Sequence, residues 1–384
     1  MATQNTGFAI YVLSFNMAIM ALFGFMSLSS ALVYVFGFIV YNVYFHPLGK
    51  YPDPELWATK RIPYTRSSLS GLIHRKILEL HREYGPIVRV APDELSYNHP
   101  DGWKDLHGYL KNRTGDHGRD PVVTHDARHS VVGAGLEDHS RFRRARSYGF
   151  PAQSMLDQQP IIKAQVDLLI QRLHEKCAGG SDALDMVSWY NWTTFKVVGD
   201  LSFGEPFHRL DNSDYRPWVE LIFDSINLIT FDELKANLAS LIAAGSETTA
   251  TALSGITYYL LANADSLGKL NDEIRNEFAS EAEIDMISVR KLVYMQAVIS
   301  EGMRMYPAAP SGLPRRVTGD GGVFLSRLAY VEMRVIPARV LWNFDMKLAE
   351  GSRGWDERSR TYKLWEKGPL MVHLTTRILD SKSK

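Results

Sequence analysis

The sequence predicts a mainly helical protein with a small β part, anchored to a membrane by one N-terminal helix. Three observations predict it. Residues 1–49 contain no Asp, Glu, Lys or Arg. From Thr230, apolar residues recur at helical spacing, free of proline, over about 30 residues, enough at 1.5 Å per residue to cross a domain. On either side lie further amphipathic helical patterns and only a few short alternating stretches. The chain of 384 residues is 45% apolar and 22% charged, a globular balance. Its formal net charge is zero and it has no large basic run, so nothing points to nucleic acid. One cysteine, Cys177, excludes a disulfide within the chain and fits a reducing compartment.

The first element is the anchor. Residues 8–45 are long enough to span a bilayer and too long for a signal-peptide core. A buried core hairpin is the alternative, but a soluble core segment rarely lacks charge over such a length. Lys50, Lys60, Arg61 and Arg66 follow the span and no basic side chain precedes it, so the positive-inside rule puts the remainder in the cytosol. Tyr41, Tyr44 and Phe45 suit the membrane interface. Pro47, Pro52 and Pro54 predict a stiff, non-helical exit through residues 50–70.

Residues 71–84 form an amphipathic pattern through Ile73, Ile77, Leu78 and Leu80, broken at Gly85-Pro86. Ile87-Val88-Arg89-Val90 alternates like a strand, and Pro92-Asp93-Glu94 turns the chain towards Leu95-Ser96-Tyr97. Residues 111–135 read as a long polar loop. A helix with a basic face begins at Asp138 and carries His139, Arg141, Arg143 and Arg144. Another runs over 161–173 and ends near Cys177-Ala178-Gly179-Gly180. Later helices are expected over 267–278, 292–305 and 327–344, and a hairpin over 364–372.

The long central helix is the element of most chemical interest. Thr230 and Glu233 have capping-box spacing, and Leu234, Leu238, Leu241, Ile242, Leu253, Ile256 and Leu260 mark its apolar residues. Its centre holds Gly245, Ser246, Glu247, Thr248 and Thr249, which are poor helix formers. Two readings follow. One is a bent core helix whose hydroxyls bond back to the preceding turn. The other is a groove in which Glu247 and Thr248 relay protons to a bound small molecule.

The run Ala244-Gly245-Ser246-Glu247-Thr248-Thr249 resembles the oxygen-binding helix of the haem-thiolate monooxygenases, the cytochrome P-450 family. Other runs resemble that family in the same order. They include Tyr84-Gly85-Pro86-Ile87-Val88-Arg89-Val90-Ala91-Pro92, Asp200-Leu201-Ser202-Phe203-Gly204, and Glu301-Gly302-Met303-Arg304 followed by Pro307, Pro310 and Pro314-Arg315. The C-terminal runs are most similar to fungal secondary-metabolism members. The resemblance implies an anchor over 1–49, a proline-containing hinge over 50–70 and one domain of that fold over 71–384. It implies haem, an NADPH-dependent reductase, a lipophilic small-molecule substrate and an endoplasmic reticulum membrane. Glu247 and Thr248 would be catalytic. His139, Arg143 and Arg315 would hold the haem propionates, and Glu301 and Arg304 would form a structural pair.

The same resemblance exposes departures. The family carries its iron-ligating cysteine, whose thiolate favours O–O cleavage, in a Phe-x-x-Gly-x-x-x-Cys-x-Gly loop. No such loop precedes Arg327, and Val323 falls at the cysteine position. Cys177 lies before the central helix and lacks the ligand-loop glycines. Segments are also missing near 227/228 and 323/326, which is expected to leave Glu301 and Arg304 as a half-satisfied buried pair. Pro337 sits within the last helix, where a missing N–H costs about 3 kcal/mol. The fold is therefore expected to be incomplete and the chain inactive as written. A faulty or mis-spliced coding sequence, a truncated inactive copy and a non-catalytic membrane-anchored binding protein all remain open.

Overall fold

The computed structural model describes residues 2–99, 118–120, 129–146, 158–203, 231–310, 315–316, 327–362 and 364–377. The chain forms two compact units, Met1–Gly102 and Trp103–Lys384.

The first unit begins with helix α1 (Ala2–Val40), which continues as a wider turn over Tyr41–Phe45. Within it, Leu22–Phe45 is apolar enough to cross a membrane, with a mean hydropathy of 2.0 over 24 residues and none of its apolar face buried in protein. The exit is mostly helical, which corrects the expected non-helical hinge except at residues 51–54, where Pro52 and Pro54 stand in extended chain. A 3-10 turn (Pro47–Lys50), α2 (Glu55–Thr59) and α3 (Ile62–Leu69) occupy it. The prolines permit this because they stand at helix starts. Pro47 opens the 3-10 turn, Pro54 is the residue before α2, and Pro63 lies in the first turn of α3. A proline there lacks only an N–H that has no partner within the helix anyway.

Helix α4 (Ile73–Tyr84) and the antiparallel hairpin β1 (Ile87–Ala91) and β2 (Glu94–Tyr97) follow as expected. Trp57, Ile73, Leu80, Val88 and Val90 form their small core. Arg89 is wholly buried beside it. Its guanidinium donates to the Asn42 carbonyl at 2.9 Å and to the Pro92 carbonyl at 3.1 and 2.7 Å, and Asp53 lies 3.6 Å away. Buried charge is tolerated here because it is ion-paired and its donors meet carbonyls.

The second unit is built on the central helix. Its elements are β3 (Gly118–Arg119), α5 (Leu136–Arg146), α6 (Gln159–Lys176), β4 (Ala183–Asp185), α7 (Met186–Phe203) and α8 (Phe231–Ala262). Then come α9 (Ala264–Glu277), α10 (Val293–Met305), β5 (Arg315–Arg316), α11 (Arg327–Asn343), β6 (Phe344–Leu348) and α12 (Trp355–Arg358). The chain closes with β7 (Arg360–Thr361), β8 (Trp365–Glu366) and β9 (Met371–Thr376). Helices α7, α10 and α11 pack against α8, and Leu253, Ile256, Ile299, Ile336 and Leu341 lie in one core. α11 runs on through Pro337, with Ile336 and Ala338 fully buried on either side. Packing on both flanks holds a helix that one missing hydrogen bond would otherwise weaken.

The hairpin expected over 364–372 does not form. β8 pairs with β7, and β9 is the middle strand of an antiparallel sheet ordered β4-β9-β6. Gly368-Pro369 separates the two strands, and proline cannot donate to a ladder. The long loop over 111–135 contributes β3, which pairs with β5, and a turn at 130–133. Residues 111–117 and 121–128 of that loop, Val323 and the junctions at 227/228 and 323/326 lie outside the described residues.

Candidate active site

The polar turn of α8 is continuous helix, because its hydroxyls are satisfied locally. Ser246 donates to the Ile242 carbonyl at 2.7 Å, Thr249 to Gly245 at 2.9 Å and Ser254 to Ala250 at 2.7 Å. Thr248 donates to the Ala244 carbonyl in the same way. Each bond returns to the residue four positions earlier and removes the cost of burying an unpaired hydroxyl.

Helix α7 crosses at this turn. A Cβ on Gly245 would stand 2.9 Å from Val198 Cγ2, so the close crossing requires glycine. Thr194 Oγ1, on α7, lies 3.0 Å from the Ser246 carbonyl, and Tyr190 Oη lies 2.8 Å from Thr257 Oγ1. Burial pushes the Tyr190 phenol up to about 12, against the opposing effect of its Thr257 hydrogen bond.

Glu247 faces a different way. Its Oε1 accepts from Thr251 Oγ1 at 3.1 Å and from Lys367 Nζ at 2.5 Å. The Lys367 side chain is 4% exposed and that of Glu247 31%. The segment carrying Lys367 is fixed on both sides. Trp365 Nε1 donates to the Pro307 carbonyl at 2.7 Å, Trp355 Nε1 to Gly368 at 2.8 Å, and the Leu370 N–H to Asp185 Oδ1 at 2.9 Å. A lysine in a short surface-like run gives no sequence signal of this role, since its partner is 120 residues away.

The other predicted residues are distributed as follows. His139 and Arg143 lie on α5, His139 half-buried and Arg143 exposed. Arg141 between them ties α5 to α8, donating to Glu233 at 2.6 Å and to Asp138 at 2.8 Å. Those two carboxylates raise the Arg141 pKa. Asn237 adds to the tie, accepting from the Val131 N–H at 2.9 Å and donating to the His129 carbonyl at 3.2 Å. Glu233 precedes Glu247 by fourteen positions, about 21 Å along a helix axis. The α5 attachment and the acid–alcohol pair are therefore separate places on one helix. The Arg315 backbone pairs with Arg119 in the β3–β5 ladder, and its side chain lies outside the described residues.

Glu301 and Arg304 do pair, at 2.7 Å, but with side chains 60% and 66% exposed. That corrects the expectation of a buried pair. Their i,i+3 spacing keeps both on one face of α10, and that face is turned to solvent. Water screens the pair, so no half-satisfied buried charge results. Glu301 is lowered by its hydrogen bond to Arg304.

Comparison with known proteins places this geometry in a family. The family model described as Cytochrome P450 matches residues 51–229 and 223–323. The Trichothecene C-15 hydroxylase of Fusarium sporotrichioides is 35% identical over 478 positions, covering 91% of this chain and 97% of that protein. The Averantin hydroxylase of Dothistroma septosporum is 30% identical, covering 89% of each chain. The Cytochrome P450 monooxygenase tpeC of Talaromyces stipitatus is 32% identical, covering 90% of this chain and 94% of its own length. An alignment of 478 positions exceeds the 384 residues available, so the first relative carries internal segments with no counterpart here. With a family match over more than half its length and relatives aligned almost end to end, this chain belongs to the cytochrome P450 family.

Proposed function

We propose that this protein is a membrane-anchored, non-catalytic cytochrome P450, descended from enzymes that oxygenate lipophilic small molecules in fungal secondary metabolism. Haem and electrons from an NADPH-dependent reductase would have served that ancestral activity. The observation that carries the proposal is the setting of Cys177, the one cysteine in the chain. It caps the C-terminal end of α6, is 2% exposed, and its thiol donates to the His174 carbonyl at 3.5 Å. Thr376 Oγ1 of β9 lies 3.6 Å from its sulfur. A cysteine that ligates haem iron must be a thiolate facing an open position. This thiol is enclosed by packing and bonded within it, so the residues present do not fit a thiolate-ligated haem.

Glu247 and Thr248 remain the residues suited to the ancestral proton relay. His139, Arg143 and Arg315 remain those suited to bind propionates. In this chain Thr248 is bonded to its own helix and Glu247 to Lys367. The basic residues Lys50, Lys60, Arg61 and Arg66 after the apolar span support a cytosolic domain on the endoplasmic reticulum membrane.

The test is a carbon monoxide difference spectrum of the purified chain given haem and a reductant, with lipophilic substrates assayed alongside. No thiolate-type band and no oxygenated product are expected. A thiolate band in the parent chain that Cys177→Ser abolishes would make Cys177 the ligand and end the proposal.

The internal shortfall against the relatives favours a second reading, a working enzyme whose coding sequence is interrupted. Genomic DNA between the codons for Val323 and Ser326 decides this. An open stretch encoding Phe-x-x-Gly-x-x-x-Cys-x-Gly supports the second reading, and uninterrupted codons support the first.

A further inference from the structure

Five aromatic rings run in unbroken succession through the second unit. Trp365 stacks on Tyr306 with centroids 4.2 Å apart and planes at 13°. Tyr306 meets Trp355 at 5.2 Å, Trp355 meets Tyr258 at 5.6 Å, and Tyr258 meets Tyr259 at 5.2 Å. Trp365 and Tyr259, at the two ends, are partly exposed, whereas between them Tyr306 and Trp355 are each 1% exposed and Tyr258 8%. Tyr306 lies against the backbone of α8, since a Cβ on Gly255 would stand 2.7 Å from its own Cβ.

The hydrogen bonds along this row are not equivalent. The Trp365 and Trp355 N–H groups donate to backbone carbonyls, at 2.7 and 2.8 Å. Tyr306 donates to the Ser359 hydroxyl at 3.0 Å. None of these acceptors is a base. Tyr259 donates to a carboxylate oxygen, Asp356 Oδ2, at 3.0 Å. Tyr258 is held protonated, its phenol pushed up to about 12 by burial and by the nearby Asp356 carboxylate. A negative charge beside the last two rings favours positive charge on them, by a Coulomb attraction that water screens in part because Asp356 and Tyr259 are partly exposed.

We propose that these rings form a one-electron relay from Trp365 at the surface to Tyr259, where Asp356 receives the phenolic proton. An outer-sphere one-electron oxidant takes an electron from Trp365 and is itself reduced. Electrons then move outward ring by ring until the vacancy reaches Tyr259. The phenolic O–H of Tyr259 breaks, its proton bonds to Asp356, and a neutral phenoxyl radical and a neutral carboxylic acid remain. Proton transfer over one hydrogen bond within 3.2 Å is the geometry such a step needs. The relay depends on neither haem nor the proposed loss of catalysis.

Flash-quench photochemistry on the full chain in detergent micelles tests it. The probe is photogenerated tris(bipyridine)ruthenium(III), with transient absorption and electron paramagnetic resonance as readouts. A tryptophan radical that decays into a tyrosyl radical is expected. Tyr259→Phe should lose the tyrosyl signal and leave the tryptophan radical long-lived. Asp356→Asn keeps the phenol but removes the base, and should prolong the tryptophan radical likewise. Circular dichroism identical to the parent qualifies each variant, and if Tyr259→Phe fails that check the Asp356→Asn arm decides alone. A tyrosyl signal that survives either substitution, or that is lost instead in Tyr362→Phe at the exposed neighbouring phenol, would overturn the relay. So would a tryptophan radical that never passes to tyrosine in the parent chain.

Discussion

Lys367 Nζ lies 2.5 Å from Glu247 Oε1, joining the loop before the last strand to the middle of the central helix. The contact occupies the one carboxylate on the polar turn of α8. Lys367→Met should therefore leave Glu247 without its cation and lower stability by about 1–3 kcal/mol, the cost of an unsatisfied partly buried polar group. Glu247→Gln in the same background should recover part of the loss. Thermal melts of the two single variants and the double variant measure the coupling, and additive losses would mean that the ion pair contributes nothing.

The anchor and the first hairpin are coupled through Arg89. Removing residues 2–40 should release the protein from the membrane fraction while keeping Asn42, whose carbonyl accepts from Arg89 at 2.9 Å. Removing everything before Tyr51 should also release it, but should leave the buried guanidinium short of an acceptor. Faster hydrogen exchange over β1 and β2 in the longer deletion alone is the expected result. Retention of either deletion by membranes in high salt would require a second attachment.

Arg89→Met tests the same link from the other side. It leaves the Asn42 and Pro92 carbonyls without their buried donor and should cost about 1–3 kcal/mol. Limited proteolysis should then cut within residues 42–60 sooner than in the parent chain.

Glu332 on α11 is fully buried, and both of its oxygens lack a hydrogen-bond partner among the described residues. Burial raises its pKa well above the ordinary value of 4.5. The folded chain thus keeps a proton that the unfolded chain sheds. The stability linked to this group is whole below about 4.5 and is lost as pH rises towards the folded pKa. Glu332→Gln has no charge to gain, so its melting temperature should fall less than the parent's between about pH 5 and about pH 8. Parallel pH curves for the two proteins would show that Glu332 finds a partner that keeps it ionised.

The elements that could be read in advance are those whose cause is local. Apolar spacing located α4, α6, α8, α9, α10 and α11 to within a few residues, and Gly85-Pro86 ended α4 as expected. The hydroxyls of α8 bonded back one turn because their acceptors are four residues away, a distance set by helix geometry. Misreadings arose where a partner is distant. Tyr306 and Pro307 draw Trp365 away, and β9 takes β4 and β6 as neighbours, so the C-terminal hairpin gave way to two separate pairings. Pro47 and Pro54 read as helix breakers, yet each stands where a helix begins.

Family membership and the lack of a second cysteine follow from the order of residues, because a motif and a count need no third dimension. The partners of Glu247, Arg89 and Arg141 do not follow from it. Glu247 is held by a group 120 residues away, Arg141 by one 92 residues away and Arg89 by one 47 residues away. Which charges meet across such separations depends on how helices pack and where turns release the chain. A charged side chain reads the same in sequence whether it ends in solvent, as Arg304 does, or buried against a carbonyl, as Arg89 does.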